Sequence, residues 1–249
     1  MSQYGGLSYI YDYLVAGVDF EGWIDYLEEL LNHFQLHTDS VVDLACGTGN
    51  TLIPLARRGY KATGIDLAGE MLDLARSKTA AANLSIDFFK QDMRSFKLPE
   101  KVGLVTCFHD GLNYLLDIGD IRRTFQQVHR HLEDKGAFIF DLNAVHWLSK
   151  ADNNNVTVID DRDMTLIWET DYHNSQNTWN IKLTGFVREN DIYHKFTENH
   201  REKAYHPEEI AGCLGQTGFT LLGSFNAFTF EPIRTNSIRH FYVAQKNAS

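Results

Sequence analysis

The first half of the chain alternates short apolar runs with longer segments of helical periodicity. The apolar runs fall at residues 40–45, 60–66, 85–90, 101–108 and 136–142. The helical segments fall at residues 50–58, 69–81 and 118–132. Nearly continuous apolar runs are expected of strands that are covered on both faces. Their alternation with helices predicts a parallel, doubly wound α/β sheet, in which the crossovers should be right-handed.

After residue 143 the hydrophobic pattern changes to a period of two, with β-branched and aromatic residues at alternate positions. A polar, turn-prone stretch at residues 151–155 opens this part of the chain. The alternating segments fall at residues 156–160, 164–173, 178–189 and 191–205. Such alternation is typical of antiparallel strands with one solvated face. It predicts a small antiparallel sheet inserted between the fifth strand and the last helix.

Near residue 206 the pattern of the first half resumes. Pro207 suits the first turn of a last helix, where its missing N–H costs nothing. Two further apolar runs, at residues 218–222 and 237–244, complete the series. The predicted parent sheet therefore has seven strands in a Rossmann-like, doubly wound arrangement.

These patterns divide the chain into two units. Residues 1–145 and 205–249 are expected to form one domain, and residues 150–204 the inserted antiparallel sheet. The first 38 residues form a helical lead to the larger unit. Its apolar side chains recur at helical spacing at Trp23, Tyr26, Leu27, Leu30 and Leu31. We expect that stripe to face the core.

A glycine-rich turn follows the first apolar run. Asp43 ends the run, and Gly47 and Gly49 come four and six residues later. Glycines allow a backbone to turn sharply and to approach a ligand closely. A third glycine, typical of dinucleotide-binding turns, is replaced by Leu52. A carboxylate before the turn would repel a pyrophosphate, whereas it suits a ligand that carries an ammonium group and no phosphate.

Two more acids end the next two apolar runs, Asp66 and then Asp92, which Met93 follows. This ordered set resembles the motifs of class I S-adenosylmethionine-dependent methyltransferases, strongly over residues 35–145. The resemblance implies that Asp66 binds the ribose diol, that Asp92 meets the adenine amino group, and that Met93 packs on the ring. Each acid also has a structural alternative, as a helix cap or turn residue.

By the same resemblance, the cofactor site draws on loops from several strand ends and on an N-terminal lid, residues 1–38. The residues expected at S-adenosylmethionine are Tyr11, Asp43, Ala45, Gly47, Gly49, Asp66, Leu67, Met71, Asp92, Met93, Phe108 and His109. The apolar members could equally be plain core. Tyr11 belongs to an aromatic-rich segment that matches a lid, and plain packing is its alternative.

The loop after the fourth run holds the candidates for chemistry. His109 could act as a general base, because its ordinary pKa lies near 6.5, and Tyr114 could face the methyl acceptor. Transfer from a sulfonium is largely a matter of in-line orientation. No Asn/Asp-Pro-Pro-aromatic motif follows this run, so the resemblance favours a small acceptor methylated on N or O. The insertion resembles that of N-methyltransferases acting on glycine or amino sugars, where it covers the acceptor side.

Composition limits the kinds of molecule that this chain is expected to bind. The net charge is −10 with three cysteines and no long cluster of Lys and Arg, which disfavours nucleic acid. No apolar run reaches the length of a membrane span, and the start lacks a secretory signal. Together these features predict a cytoplasmic protein without a metal site, either a monomer or a homodimer.

Two other functions stay open from the sequence. The first is a catalytically silent, cofactor-binding partner protein on the same fold. The second is an NAD(P)-dependent oxidoreductase, which is remote because the glycine fingerprint is broken at Leu52. Its Tyr-x-x-x-Lys pair, Tyr242 and Lys246, lies in the last strand, far from the expected site.

Overall fold

The computed structural model describes residues 6–150 and 155–248, which form two sheets with helices packed around the larger one. The strands of the larger sheet are β1 Ser40–Leu44, β2 Lys61–Asp66, β3 Asp87–Lys90, β4 Val102–Cys107, β5 Leu132–Asn143, β10 Phe219–Asn226 and β11 Arg239–Lys246. Those of the smaller sheet are β6 Val156–Asp161, β7 Met164–His173, β8 Thr178–Glu189 and β9 Ile192–Lys203. The helices are α1 Ser8–Leu14, α2 Phe20–His33, α3 Leu52–Arg57, α4 Gly69–Ala81, α5 Ile118–His131, α6 Val145–Lys150 and α7 Pro207–Gln216.

The larger sheet has the strand order β10-β11-β5-β4-β1-β2-β3. β1 to β5 run parallel, whereas β11 is antiparallel to both β5 and β10. The seven-stranded, doubly wound sheet predicted from the hydrophobic pattern is thereby confirmed. The chain reverses its strand order between β1 and β4, which is where ligands bind in sheets of this kind.

The smaller sheet is a meander of four antiparallel strands, β6-β7-β8-β9, inserted after β5. The predicted insertion is confirmed, and most of its polar opening stretch, residues 151–154, lies outside the described residues. One face of this sheet packs on α1 through an apolar cluster that includes Leu7, Ile10, Leu166 and Leu183. The α1 helix therefore joins the insertion to the rest of the molecule.

Apolar side chains cover both faces of the larger sheet. One face packs against α5 and α7 through residues such as Phe125 and Leu214. The other packs against α2, α3 and α4, and there the predicted stripe of α2 is buried. Because both faces are covered, the strand ends are the part of the sheet that remains open to a ligand.

Several element boundaries differ from the pattern-based prediction. β5 begins at Leu132, four residues before the predicted start, because buried Leu132 already pairs with Val102. The N-terminal lead is two helices, α1 and α2, and its first five residues lie outside the described ones. The sequence pattern also did not predict the short α6 or a 3₁₀ turn, Gly111–Tyr114.

Candidate functional site

A cavity of about 370 Å³ opens where the carboxyl ends of β1, β2, β3 and β4 meet. Twelve of the thirteen residues singled out from the sequence line this cavity: Tyr11, Asp43, Ala45, Gly47, Asp66, Leu67, Met71, Asp92, Met93, Phe108, His109 and Tyr114. The exception is Gly49, which lies outside the lining. A Cβ on Gly49 would stand 3.4 Å from Ala75 and 3.7 Å from Phe88. These are ordinary contacts, so glycine is favoured at this position by its φ of +77° rather than by lack of space.

Gly47 forms the floor of the glycine turn. Its φ is +53°, in the left-handed region that favours glycine. Among the described residues, the atom nearest to a Cβ built on Gly47 is Met71 Cε, 4.0 Å away. A side chain here would therefore project into the cavity without meeting protein. The turn leaves that space open for a ligand.

Asp66 ends β2 and holds the turn in shape. Its carboxylate accepts hydrogen bonds from the backbone N–H groups of Gly47 and Ala68, both at 2.8 Å. Burial raises the pKa of Asp66, and these backbone N–H groups partly offset the effect. A carboxylate has about four lone-pair positions, so oxygen capacity remains for hydroxyl groups in the cavity.

Asp43 is buried beneath the turn at the end of β1. Its two oxygens accept hydrogen bonds from the hydroxyls of Thr51, at 2.6 Å, and Thr106, at 2.7 Å. Burial raises the pKa of this carboxyl to about 6, while the two hydroxyl donors lower it. Through these two hydrogen bonds Asp43 also links β1 to β4 and to the start of α3.

Asp92 follows β3 and is paired within its own loop. Arg94 binds it through the backbone N–H at 2.8 Å and through the guanidinium, and the guanidinium also reaches Asp120. Hydrogen bonding from the Arg94 side chain lowers the pKa of Asp92, and burial raises it by a smaller amount. Gln91 and Arg94 line the cavity as well. The sequence pattern missed both, since neither belongs to the three-acid motif.

The α1 helix contributes one side chain to the cavity and is fastened to the glycine turn. The Asp12 carboxylate accepts hydrogen bonds from Thr48 Oγ1 at 2.6 Å, Asn50 Nδ2 at 3.0 Å and Lys78 Nζ at 2.8 Å. We call these four residues the latch. Tyr11, on the same helix, lines the cavity, and burial together with nearby carboxylates raises the pKa of its hydroxyl.

His109 and Asp110 form a strained corner at the end of β4. Both have left-handed backbones, with φ of +55° and +67°, a conformation that costs non-glycine residues free energy. The His109 ring stacks on Trp23 with ring centres 4.0 Å apart. Burial lowers the pKa of His109 to about 4, so the imidazole is neutral at neutral pH. Among the described residues its buried Nε2 has no hydrogen-bond partner.

The 3₁₀ turn Gly111–Tyr114 continues this corner and is packed tightly. A Cβ on Gly111 would lie 2.8 Å from both the Ala45 Cβ and the Cys107 Sγ. Within the turn, Asn113 donates to the Lys203 carbonyl at 2.9 Å. The Tyr114 hydroxyl lies 3.4 Å from His200 Nδ1. The turn is thus joined to β9 of the inserted sheet, which brings that sheet beside the cavity.

Behind the corner lies a buried cluster of charged side chains. Arg239 pairs with Asp110 and Asp141, and its guanidinium lies 5.4 Å from the Trp23 ring centre. Burial raises the pKa of Asp141, and it raises that of Glu202, which also lies close to Asp110. This cluster fastens β5, β9 and β11 to the corner. It was not foreseen from the sequence.

The described residues contain neither a metal-ligand cluster nor a membrane-spanning helix. Within residues 6–150 and 155–248, no three His, Cys, Asp or Glu side chains come together as metal ligands. Over the same residues, no helix is long and apolar enough to cross a bilayer.

Comparison with known proteins decides the family. A solved structure of an S-adenosylmethionine-dependent methyltransferase from Clostridium acetobutylicum ATCC 824 superposes with a TM-score of 0.88 and 30% identity, covering 98% of this chain and 99% of that one. The methyltransferase-family protein YqeM of Bacillus subtilis (strain 168) is 30% identical over 98% of this chain and 97% of its own length. The chain belongs to the S-adenosylmethionine-dependent methyltransferases.

Other comparisons agree with this methyltransferase assignment. A family model described as a methyltransferase domain matches residues 41–136, from β1 into β5. The sugar N-methyltransferase KedS8 from Streptoalloteichus sp ATCC 53650 shares the fold, with a TM-score of 0.78 at 19% identity over 96% of this chain and 92% of that one. The open cradle at Gly47 and the carboxylate of Asp66 fit the cofactor of a methyltransferase.

Proposed function

We propose that this methyltransferase transfers the methyl group to an N or O atom of a small-molecule acceptor, by direct in-line displacement. The observation that carries the proposal is the cavity itself. Its volume of about 370 Å³ lies in the range of small-molecule pockets. One end is built from the strand-end acids and the glycine turn, and the other from the corner and the 3₁₀ turn.

The acid-lined end is proposed to bind S-adenosylmethionine. Asp66 would accept hydrogen bonds from the ribose hydroxyls, and the Asp92 loop with Met93 would meet the adenine. Asp43 would act mainly by holding the turn through Thr51 and Thr106. When bound, the cofactor supplies a methyl group that is already activated on a positively charged sulfur. The protein then has to orient the acceptor and exclude water.

The other end is proposed to receive the acceptor. His109 presents a neutral imidazole whose buried Nε2 lacks a partner among the described residues, and Tyr114 presents its hydroxyl. Both groups can accept a hydrogen bond from an amine or alcohol. The inserted sheet would close this side, because β9 contacts the 3₁₀ turn.

A relative supports a small acceptor of the amine class. The dTDP-3-amino-3,4,6-trideoxy-alpha-D-glucopyranose N,N-dimethyltransferase of Streptomyces venezuelae is 27% identical over 53% of this chain and 55% of its own length. The shared region is about half of each protein. It therefore supports amines as the first acceptors to test, without naming one.

The first experiment measures binding of S-adenosylhomocysteine by titration calorimetry. We expect wild-type binding and at least about tenfold weaker binding by Asp66→Ala, since the lost charge-assisted hydrogen bonds are worth about 1.5–3 kcal/mol. Asp73→Ala is the matched control, because Asp73 is exposed on α4 and pairs only within that helix among the described residues. No binding by the wild-type protein would refute the cofactor assignment.

A second experiment supplies S-adenosylmethionine with a panel of small amines, alcohols and thiols and measures formation of S-adenosylhomocysteine. Turnover on an amine or alcohol supports the proposed transfer. Turnover confined to thiols would contradict it. Cofactor binding without turnover on any member would favour the silent partner protein instead.

A further inference from the structure

The inserted sheet has two faces of different character. One face packs on α1 through the apolar cluster that contains Leu166 and Leu183. Successive side chains of a strand point to opposite faces, so the residues on either side of these point away from α1. We call that second surface the outer face. Its residues are Val156, Val158 and Asp160 of β6, Thr165, Ile167, Glu169 and Asp171 of β7, Asn180, Lys182, Thr184 and Phe186 of β8, and Lys195, Thr197, Asn199 and Arg201 of β9.

The charges of the outer face are separated by strand. Its acids lie on β6 and β7, and they are Asp160, Glu169 and Asp171. Its cations lie on β8 and β9, and they are Lys182, Lys195 and Arg201. Because the strand order is β6-β7-β8-β9, one half of the outer face is acidic and the other half is basic.

A row without charges crosses the middle of the outer face. The strand pairing aligns Val158 with Ile167, Ile167 with Thr184, and Thr184 with Thr197. On β6, Val156 and Val158 are each 58% exposed. Adjoining exposed apolar side chains, with charged groups around them, are typical of a surface that another protein covers.

The charges at the two edges of the outer face contact neutral groups within the chain. Asp160 accepts a hydrogen bond from the Thr165 hydroxyl at 2.5 Å. Arg201 donates to the amide oxygen of Gln176 at 2.9 Å. Lys195 Nζ lies 5.7 Å from the centre of an aromatic ring on β8. These three charged groups can therefore still form ion pairs with a second molecule.

A two-fold axis parallel to the strands makes this charge pattern self-complementary. If the axis passes between β7 and β8, it places β9 of a second copy over β6 and β8 over β7, and each row keeps its height. Asp160 shares a row with Lys195, and Glu169 shares one with Lys182. Each of these acids then faces a cation of the second copy. An axis across the strands would instead place the acidic half against itself.

We propose that the outer face is the interface of a homodimer, in which the inserted sheets of two copies pack face to face about an axis parallel to their strands. Strands about 4.8 Å apart, with a rise of about 3.3 Å per residue, give a face of roughly 20 by 25 Å. Two copies would bury about 1,000 Å², which a specific interface needs. A groove of about 580 Å³ at Glu169 and Lys182 leaves room for side chains of the second copy.

The ion pair within the chain is compatible with this packing. Lys182 Nζ lies 2.6 Å from Glu169 Oε2, and the two side chains remain 51% and 39% exposed. The two-fold axis would pass close to this pair and bring the same pair of the second copy beside it. Four alternating charges then form one network, whose Coulomb energy is larger than that of an isolated surface pair.

The first test measures the mass of the wild-type protein by sedimentation equilibrium at micromolar concentrations. We expect twice the chain mass of 28.5 kDa. Dimerisation through the outer face requires neither cofactor nor acceptor, so this result does not depend on the proposed function. A wild-type protein that stays monomeric would overturn the proposal.

The second test uses two variants with opposite charge changes. The basic variant carries Asp160→Lys, Glu169→Lys and Asp171→Lys. The acidic variant carries Lys182→Glu, Lys195→Glu and Arg201→Glu. Each variant alone should dimerise at least about 100-fold more weakly than the wild type, because like charges then face each other across the axis. An equal mixture of the two should form a heterodimer, and a mixture that stays monomeric would count against the charge pairing and against the proposal.

A matched control changes the net charge as much as the basic variant does, but away from the outer face. It carries Asp73→Lys, Glu100→Lys and Glu231→Lys, at side chains that are 78%, 80% and 56% exposed. This control should dimerise as the wild type does. If it loses the dimer to the same extent as the basic variant, net charge and not the outer face governs association, and the proposal fails.

A third test needs no variant and so does not depend on whether the variants fold. Within one chain, β7 and β8 separate Asp160 from Lys195, which puts their backbones about 14 Å apart. A carbodiimide joins only a carboxylate and an amine that touch. In a mixture of ¹⁴N- and ¹⁵N-labelled wild-type protein, we expect Asp160–Lys195 cross-links with one light and one heavy peptide. A dimer that is cross-linked only through other surfaces would overturn the proposal.

Discussion

Removing the Asp12 carboxylate should weaken binding of S-adenosylhomocysteine, although Asp12 does not line the cavity. In the latch, Asp12 accepts three hydrogen bonds, from Thr48, Asn50 and Lys78. Thr48 and Asn50 line the cavity, as does Tyr11 beside Asp12. The same contacts therefore dock α1 and hold the rim of the glycine turn. Asp12→Ala deletes them while leaving the cavity lining intact.

The size of the effect follows from the exposure of the groups. Side chains of Asp12 and Lys78 are 43% and 28% exposed, so the ion pair contributes at most about 1 kcal/mol. The two hydrogen bonds from Thr48 and Asn50 add about 0.5 kcal/mol each after exchange with water. A total of about 1–2 kcal/mol sets an upper limit of roughly 5- to 30-fold on the weakening of binding, reached when binding requires a docked α1.

Calorimetry with S-adenosylhomocysteine measures this loss, and hydrogen exchange of α1 reports whether the helix opens more often. Asp73→Ala again serves as the control.

Burial alone would raise the pKa of Asp12, but hydrogen bonds from Lys78, Thr48 and Asn50 hold it below its ordinary value. The latch is thus fully formed at neutral pH and is lost only as the pH falls through that lowered pKa. The difference in binding free energy between the wild type and Asp12→Ala should therefore stay constant between about pH 6 and about pH 8. An unchanged dissociation constant, with faster exchange in α1, would show that docking of the helix is not linked to binding.

Three other predictions concern the strand ends. Gly111→Ala should lower the melting temperature by about 2–12 °C, since overpacking costs about 1–3 kcal/mol. Gly212→Ala is the control and should not lower it, because the space around Gly212 is open. Equal shifts in the two variants would refute the steric argument. Asp43→Asn should gain about 2 kcal/mol of stability relative to wild type as the pH rises from about 4 to about 7. The reason is that burial raises the pKa of Asp43 to about 6, so that ionisation of the wild-type carboxyl destabilises the fold. Urea unfolding at both pH values tests this, and a constant difference in stability would contradict it. NMR signals of His109 should not titrate between about pH 6 and about pH 8, given a pKa of about 4; a midpoint near 6.5 would mean that the ring is solvated.

Much of the larger unit could be predicted from the sequence, because its signals are local. Each strand is a short apolar run, and the acids Asp43, Asp66 and Asp92 mark three successive strand ends. Parallel strands bring such ends to one edge of a sheet. Twelve residues chosen from these strand ends together with the family resemblance line one cavity. Gly49 differs, since it shapes the turn through its left-handed backbone and does not line the cavity.

The partners across the site could not be predicted, because they are distant in the chain. Asp12 and Lys78 are 66 residues apart, and Tyr114 and His200 are 86 apart. Their meeting depends on how α1 and the inserted sheet dock, which no periodicity encodes. His200 is one of four histidines between residues 173 and 206, and nothing in their spacing marks it as the one that contacts Tyr114.

The short helix α1 bonds to two separate parts of the molecule: Asp12 to the glycine turn, and the backbone N–H of Leu7, at the helix start, to Glu198 of the inserted sheet. A movement of α1 away from the glycine turn would therefore also disturb its contact with β9. We expect the glycine turn and the inserted sheet to respond to each other through this helix.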